Sequence, residues 1–352
     1  MSPPDPPRWR SFADLPRAHG GAAIRGRLRE RPEDFLVDEV LGFEPDGEGE
    51  HALLHVRKTG VNTEWVARQL ASHAGLPAAA VGYGGLKDRH AVATQWFSLH
   101  TGQQGGADWR ALRVEGVEIL AVDRHRKKLR RGALRGNRFR LRIRGLSGER
   151  DGLAERIERV RRLGVPHYFG AQRFGNGEGN LHGAHALFTG QAKRVGRHLR
   201  GLWLSAARSQ IFNEVLALRV ERGDWNRPLS GDRIQLAGSR SHFLAETIDE
   251  ALRERTRTFD VHPSGPLWGS GELLTRGDAA LLEQRVADSF APWGEGLVSA
   301  GLRQERRPLR LEVADIEAGV SADDVLEIGF YLTAGAYATA VVRELVDWSS
   351  AA

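Results

Sequence analysis

Lys87, Asp88, Arg89 and His90 follow Gly82, Gly84 and Gly85 in the stretch "GYGGLKDRHAVATQW", so one carboxylate stands among basic groups at a glycine-rich turn. Nearby positive charge favours the ionised form of a carboxylate, provided the cationic side chains turn toward it. A fixed carboxylate can then act as a nucleophile, a general base or a metal ligand. The glycines permit backbone conformations other residues avoid and let a substrate come close. A hairpin turn with solvated charges has the same local sequence, so the motif shape alone does not decide.

A second group is "RPEDFLVDE", with Glu33, Asp34, Asp38 and Glu39 around Phe35. Four carboxylates beside a basic surface are the raw material of a Mg²⁺-dependent nuclease, whose ions take hard oxygen ligands. Strand alternation, however, puts Phe35, Val37 and Glu39 on one face and Asp34 and Asp38 on the other, which divides the set. A third group is "GNRF" with "GAYATAVVRE": Asn137 can read a base edge, and Phe139 or Tyr337 can stack on an unstacked base or pack in a core.

The elements that must hold these residues can be placed from periodicity. "DFLVDEV" and "HALLHVRK" alternate as strands, and "AVGYGG" and "AVATQWFSL" are expected to be strands flanking the Lys87 and Asp88 loop. "NTEWVARQLASHAGLP" opens on a capping Asn62 or Thr63, aligns Val66 with Leu70 and stops at Gly75 and Pro77, the pattern of a short helix. Leu153, Ile157, Val160 and Leu163 repeat at helical spacing before Gly164 and Pro166. A glycine-rich, then helical, texture follows until strands return at "PLRLEV" and "VLEIGFYL", before a last helix, "AYATAVVRELVDW". The organisation expected is a sheet-rich domain over residues 1–163 and 309–352, interrupted by an insertion over 164–308.

The chain has 352 residues, 41% of them hydrophobic, which exceeds the size at which single cores usually divide. No apolar run approaches the ~20 residues of a membrane helix, and "MSPPDPPRWR" lacks a hydrophobic signal core, so a soluble, untargeted, cytoplasmic chain with a frayed start is expected. Cysteine is absent, which excludes disulfides, thiolate zinc sites, cysteine-ligated base deaminases and methylation through a cysteine adduct. Neither G-x-x-x-x-G-K-[ST] nor H-E-x-x-H occurs, leaving open a cofactor-free reaction centred on one aspartate.

The formal net charge is +6, and only 5 of the 51 basic residues are lysine. Between Arg124 and Arg144 there are 11 basic residues and no acid, so the rest of the chain is net acidic. A stripe of this kind suits a polyanion, and arginine suits phosphate and bases. Its second half alternates Phe139, Leu141 and Ile143 with Arg138, Arg140, Arg142 and Arg144, which predicts a strand with one buried face and a row of guanidinium groups on the other. A solvated edge strand guarded by charge is the alternative, but eleven positives are more than edge protection needs, so RNA or DNA is the favoured partner. A metal-dependent nuclease and a non-catalytic RNA-binding protein are both compatible with the residues, beside a cofactor-free reaction centred on one aspartate.

Six blocks in order along nearly the whole chain, "RPEDFLVDE", "GLKDRHAVATQW", "KLRRGALRGNRF", "VPHYFGAQRFG", "WLSAARSQIFN" and "AGAYATAVVREL", closely resemble the TruD family of tRNA pseudouridine synthases. The resemblance implies an α+β fold: a pseudouridine synthase catalytic domain with a mixed, largely antiparallel sheet, interrupted by an inserted α/β domain particular to the family. It implies conversion of uridine 13 of tRNA to pseudouridine with no cofactor or metal, and tRNA as partner, without DNA, in a monomer. Asp88 matches the family's catalytic aspartate, and Phe35, Asn137 and Phe139 match its substrate pocket. Tyr337 stands where the family is associated with phenylalanine, and Arg29 where it commonly has lysine. With Lys87, these complete the expected substrate-binding set, in which Lys87, Arg89 or Arg29 keeps Asp88 ionised while Phe35, Phe139 and Tyr337 hold the detached ring.

Overall fold

The computed structural model describes residues 5–102, 107–130, 132–192 and 194–350. Two compact units are present. The sheet unit comprises Ala22–Ile157, Val313–Gly335 and Leu345–Ala352, and the helix-rich unit comprises Met1–Gly21, Glu158–Glu312 and Ala336–Glu344.

In the sheet unit, strands β1 (Ile24–Leu28), β2 (Phe35–Leu41), β3 (His51–Thr59), β4 (Val81–Tyr83), β5 (Val92–His100), β6 (Val117–His125), β7 (Leu134–Gly148), β8 (Ala314–Val320), β9 (Leu326–Thr333) and β10 (Asp347–Ser350) form one sheet. Its order is β8-β9-β7-β2-β5-β3-β6, with β1 joining β7 to β10 and β4 paired to β5. The β2–β5 and β1–β10 pairs are parallel, and the others are antiparallel. This is the mixed, largely antiparallel α+β arrangement that the sequence predicts.

The alternation in β7 is realised as read: Phe139, Leu141 and Ile143 are buried, and Arg138, Arg140 and Arg142 are exposed. Register then sets the neighbours. Val37 and Phe330 flank Phe139, and Glu39 and Leu332 flank Asn137. Helix α1 (Thr63–His73) packs Val66, Ala67 and Leu70 on Leu54, Val56, Phe97 and Leu99 of the sheet. Each such Val or Leu contributes about 1.5–3 kcal/mol on full burial, which fixes the helix beside the loop between β4 and β5.

The helix-rich unit is organised about the helix Arg197–Glu221, with Ile211, Phe212, Val215 and Leu216 in a core shared with Tyr168, Phe174, Trp293 and Leu309. Its four-stranded sheet consists of Arg233–Leu236, His242–Leu244, Val261–Leu267 and Glu305–Pro308. The unit boundaries depart from those read in the sequence. Residues 5–21 and 336–344 group with the middle of the chain. The reason is apolar: Leu15 is buried in this core, Trp9 and Phe12 pack on it, and Trp9 Nε1 donates to Glu178 Oε2 at 2.7 Å. The start of the chain, apart from residues 1–4, which lie outside the described residues, is therefore packed and not frayed.

The final helix spans Ala338–Leu345, and the chain then forms β10, where sequence periodicity continues the helix. Pairing of Asp347 with Arg25 and Trp348 with Gly26 decides this, a contact between opposite ends of the chain. Among the described residues no helix is long and apolar enough to cross a membrane.

Candidate active site

The loop between β4 and β5 is held by side chains that reach its backbone from three elements. Gln95 Nε2, on β5, donates to Gly85 O at 2.6 Å. Thr63 Oγ1, at the start of α1, accepts from Lys87 N at 3.0 Å and donates to Gln95 Oε1 at 2.9 Å. Lys58 Nζ, on β3, donates to Asp88 O at 2.6 Å and to Val61 O at 2.9 Å. Gly82 and Gly84 are needed for close approach: a Cβ there would collide with Leu129 O and the Leu134 side chain. Neither adopts a left-handed φ, so their use is steric room and not an unusual turn.

Asp88 is partly buried and its carboxylate is aimed. Its Oδ1 accepts from His90 N at 3.0 Å, and its Oδ2 lies 2.9 Å from Arg29 Nη2. The guanidinium of Arg29 also lies over the Phe35 ring, 4.1 Å from its centroid. Burial pushes the Arg29 pKa down, and the Asp88 charge opposes that shift. Arg29 holds φ at 66° just after β1, a left-handed conformation that costs an L-residue about 1–2 kcal/mol. Such strain persists only where the surroundings over-determine it.

The sequence neighbours of Asp88 turn elsewhere. Arg89 Nε donates to Gly60 O at 3.0 Å. Lys87 Nζ lies 2.7 Å from Glu39 Oε1 and donates to Asn137 Oδ1 at 2.7 Å, spanning a residue pair that faces across β2 and β7. Burial raises the Glu39 pKa, and the Lys87 charge opposes it, as does the Trp96 N–H that donates to Glu39 Oε2 at 2.9 Å. Phe35 meets Phe139 edge to face at 6.2 Å, and Phe139 tilts against Phe330 at 5.4 Å. Both rings are buried, so they form a packed wall and not free stacking platforms.

Of the residues read from sequence, Arg29, Phe35, Lys87, Asp88, Asn137 and Phe139 are joined by this contact network in the sheet unit. Tyr337 belongs to the helix-rich unit, where its ring meets Phe169 at 6.1 Å and its hydroxyl accepts from Arg173 Nε at 3.1 Å. Lys58, Thr63 and Gln95 are additions that sequence reading missed. Lys58 carried a signal, since it shares a strand face with Leu54 and Val56 and is fully buried like them. Its pKa falls to about 8 through burial, with Asp88 opposing and Lys87 adding to the fall.

Three of the four carboxylates of "RPEDFLVDE" serve cations of the chain. Asp34 pairs with Arg144 at 2.8 Å, Asp38 with Arg140 at 3.2 Å, and Glu39 with Lys87. Arg138 meets Asp315 at 3.3 Å, and Arg142 meets Glu327 at 2.9 Å. The guanidinium row expected on β7 is therefore a ladder of cross-strand ion pairs and not an uncompensated stripe. Exposed Lys127, Arg130 and Arg135, before and at the start of β7, have no ion pair among the described residues, and Arg131 lies outside them.

A family model described as tRNA pseudouridine synthase D (TruD) matches residues 18–194 and 184–345. A tRNA pseudouridine synthase D of Methylococcus capsulatus is 51% identical over 337 residues, covering 96% of this chain and 95% of the relative. One of Nitrosococcus oceani is 51% identical over 321 residues, with 91% and 90% covered. A crystal structure of a Methanosarcina mazei protein assigned to TruD superposes with a TM-score of 0.73 over 95% of this chain and 96% of that one; at 20% identity it supports the fold alone. These matches place the chain in the isomerase class, among the pseudouridine synthases. It belongs to the tRNA pseudouridine synthase D (TruD) family.

Proposed function

We propose that this protein converts uridine 13 of tRNA to pseudouridine, with Asp88 as the reacting carboxylate and with neither cofactor nor metal. The observation that carries the reading is the Arg29 and Asp88 pair at 2.9 Å, on a loop whose backbone is tied down from β3, β5 and α1. In the reaction the N1–C1′ bond of the nucleoside breaks, the uracil turns, and a C5–C1′ bond forms. The proton leaves C5, and N1 gains one, so no redox partner is required.

Asp88 acts at the ribose, by attack on C1′ or by removal of a ribose proton. Both routes need an anionic carboxylate at a fixed place, and Arg29 supplies its counter-charge. The side-chain amide of Asn137, held by Lys87, is the polar group suited to a uracil edge. Phe35 and Phe139 give the pocket an apolar wall, and Tyr337 is assigned to the detached base on the family pattern. The same reading takes tRNA and not DNA as partner, in a cytoplasmic monomer.

Extruding the uridine costs a few kcal/mol, offset by new base contacts and phosphate contacts. The test is tritium release from tRNA labelled at uracil C5, run with EDTA, followed by mapping of the altered nucleotide. Release that persists with EDTA and maps to position 13 supports the reading. No release under any condition removes it, and chain cleavage that EDTA stops favours a nuclease.

A further inference from the structure

Leu86 is 62% exposed, although it lies in a loop anchored from β3, β5 and α1 and two residues from Asp88. The backbone on both sides of it is fixed: Gly85 O accepts from Gln95 Nε2, and Lys87 N donates to Thr63 Oγ1. Lys87 and Asp88 then turn their side chains to protein partners, Lys87 to Glu39 and Asn137 and Asp88 to Arg29. Leu86 alone projects an apolar side chain into water from this loop. A single exposed leucine on a mobile loop needs no explanation. An anchored backbone that holds one two residues before the reacting carboxylate does, because anchoring fixes where its apolar surface is presented.

We propose that Leu86 is a wedge that enters the RNA base stack in the space vacated by the extruded uridine. The proposal rests on the uridine-isomerase reading above and deepens it by naming how the target leaves its stack. An extruded base leaves two neighbouring base faces exposed to water, and proteins that open a stack commonly insert an apolar side chain between such faces. Leucine suits this place: it has the volume to separate two bases and no polar group to desolvate. Because the backbone is tied on both sides, little ordering remains to be paid when the side chain inserts. The Leu86 contribution would therefore appear in the step that brings uridine to Asp88, and so in kcat more than in affinity for tRNA.

The experiment uses the full chain, its Leu86→Ala and Leu86→Met variants, and tRNA transcripts carrying either tritium at uracil C5 or 2-aminopurine beside the target. The Ala variant should melt as the parent does, since an exposed side chain is lost. It should bind tRNA about as tightly but lose about tenfold or more in kcat, the size expected when one buried leucine side chain is removed. The rise in 2-aminopurine fluorescence on binding should shrink with it, and Leu86→Met, which keeps an apolar side chain of similar volume, should retain both signals. Wild-type kcat and a full fluorescence rise in Leu86→Ala would overturn the wedge. If the parent protein gives the fluorescence rise but no tritium release, the isomerase reading fails and the wedge is decided by whether Leu86→Ala loses that rise; if the parent gives neither, both fall.

Discussion

Arg29 pairs with Asp88 at 2.9 Å while its own backbone is held at φ 66°, so the counter-charge of the candidate catalytic group sits on a strained residue. Glycine would relieve that conformation and remove the guanidinium at once. In Arg29→Gly the backbone relief, about 1–2 kcal/mol, should offset the lost contact with Phe35, about 0.5–2 kcal/mol, and leave the loss of the Asp88 ion pair as the net destabilisation. Turnover should fall by about a hundredfold or more, because the carboxylate loses the partner that orients it. Urea melts and tritium release on the same preparation check both halves. Wild-type turnover would show that Arg29 is structural only.

Asp88→Asn preserves size and removes the charge. It should abolish tritium release and leave tRNA binding nearly intact, since Asn can still accept the His90 N–H and keeps the main-chain carbonyl bound by Lys58. A filter-binding titration beside the release assay checks this, and wild-type turnover would end the assignment.

Lys87 is the cation that compensates buried Glu39. Removing one partner of a buried pair leaves an uncompensated charge, at a cost of about 3–5 kcal/mol. Lys87→Met should therefore destabilise the chain by about that much at neutral pH. The loss should shrink on acidification: Glu39 already has a raised pKa in the fold, so its charged form costs stability as pH rises above the unfolded value, and protonation removes that cost. Lys87→Met with Glu39→Gln should recover most of the stability but not the turnover, as Asn137 remains unheld. Denaturant melts across pH, with and without Glu39→Gln, measure this.

The parts of this site that were legible in sequence are those with local periodicity. Period-two alternation placed Phe139 inside and Arg138 outside on β7, and helical spacing placed Val66 and Leu70 on α1. The partner of Asp88 is legible only through the family resemblance, which offers Arg29 beside Lys87 and Arg89; local sequence favours the two neighbours, which turn away, whereas Arg29 arrives from the end of β1. The β7 arginines show the same limit. Their charge could be counted, but Asp315 and Glu327 become their partners through strand order, which local sequence does not reveal. β10 was lost to a helix for the same reason.

That ladder changes where tRNA phosphates should be sought. Arg142 is already paired with Glu327, so Arg142→Ala should leave the salt dependence of tRNA binding close to the parent's. Arg130 and Lys127 are exposed without an ion pair among the described residues, so each Ala substitution should reduce the slope of log Kobs against log salt by about 0.7–0.9 if its group meets one phosphate. Binding titrations over a range of salt decide the matter. Slopes equal to the parent's for all three variants would place the RNA away from both regions.

Lys58 links the loop to pH. Its pKa in the fold is about 8 and its ordinary value is 10.5, so between these values the unfolded chain binds more protons at this group than the folded chain does. Stability then rises with pH across that window, and the burden of burying the ammonium is fully present below pH 8. Lys58→Met should remove this component of the pH dependence, seen as a flatter profile in denaturant melts between pH 8 and 10.5. It should also remove the ammonium bonds to the Asp88 and Val61 carbonyls, a loss of about 0.5–1.5 kcal/mol for each hydrogen bond. Turnover should drop even where the variant is fully folded, because Asp88 loses the bond that fixes its main chain. Lys58→Arg, which keeps donors but not the point geometry, should restore part of the stability and less of the rate. A Lys58→Met protein with the parent's rate would show that Thr63 and Gln95 suffice to hold the loop.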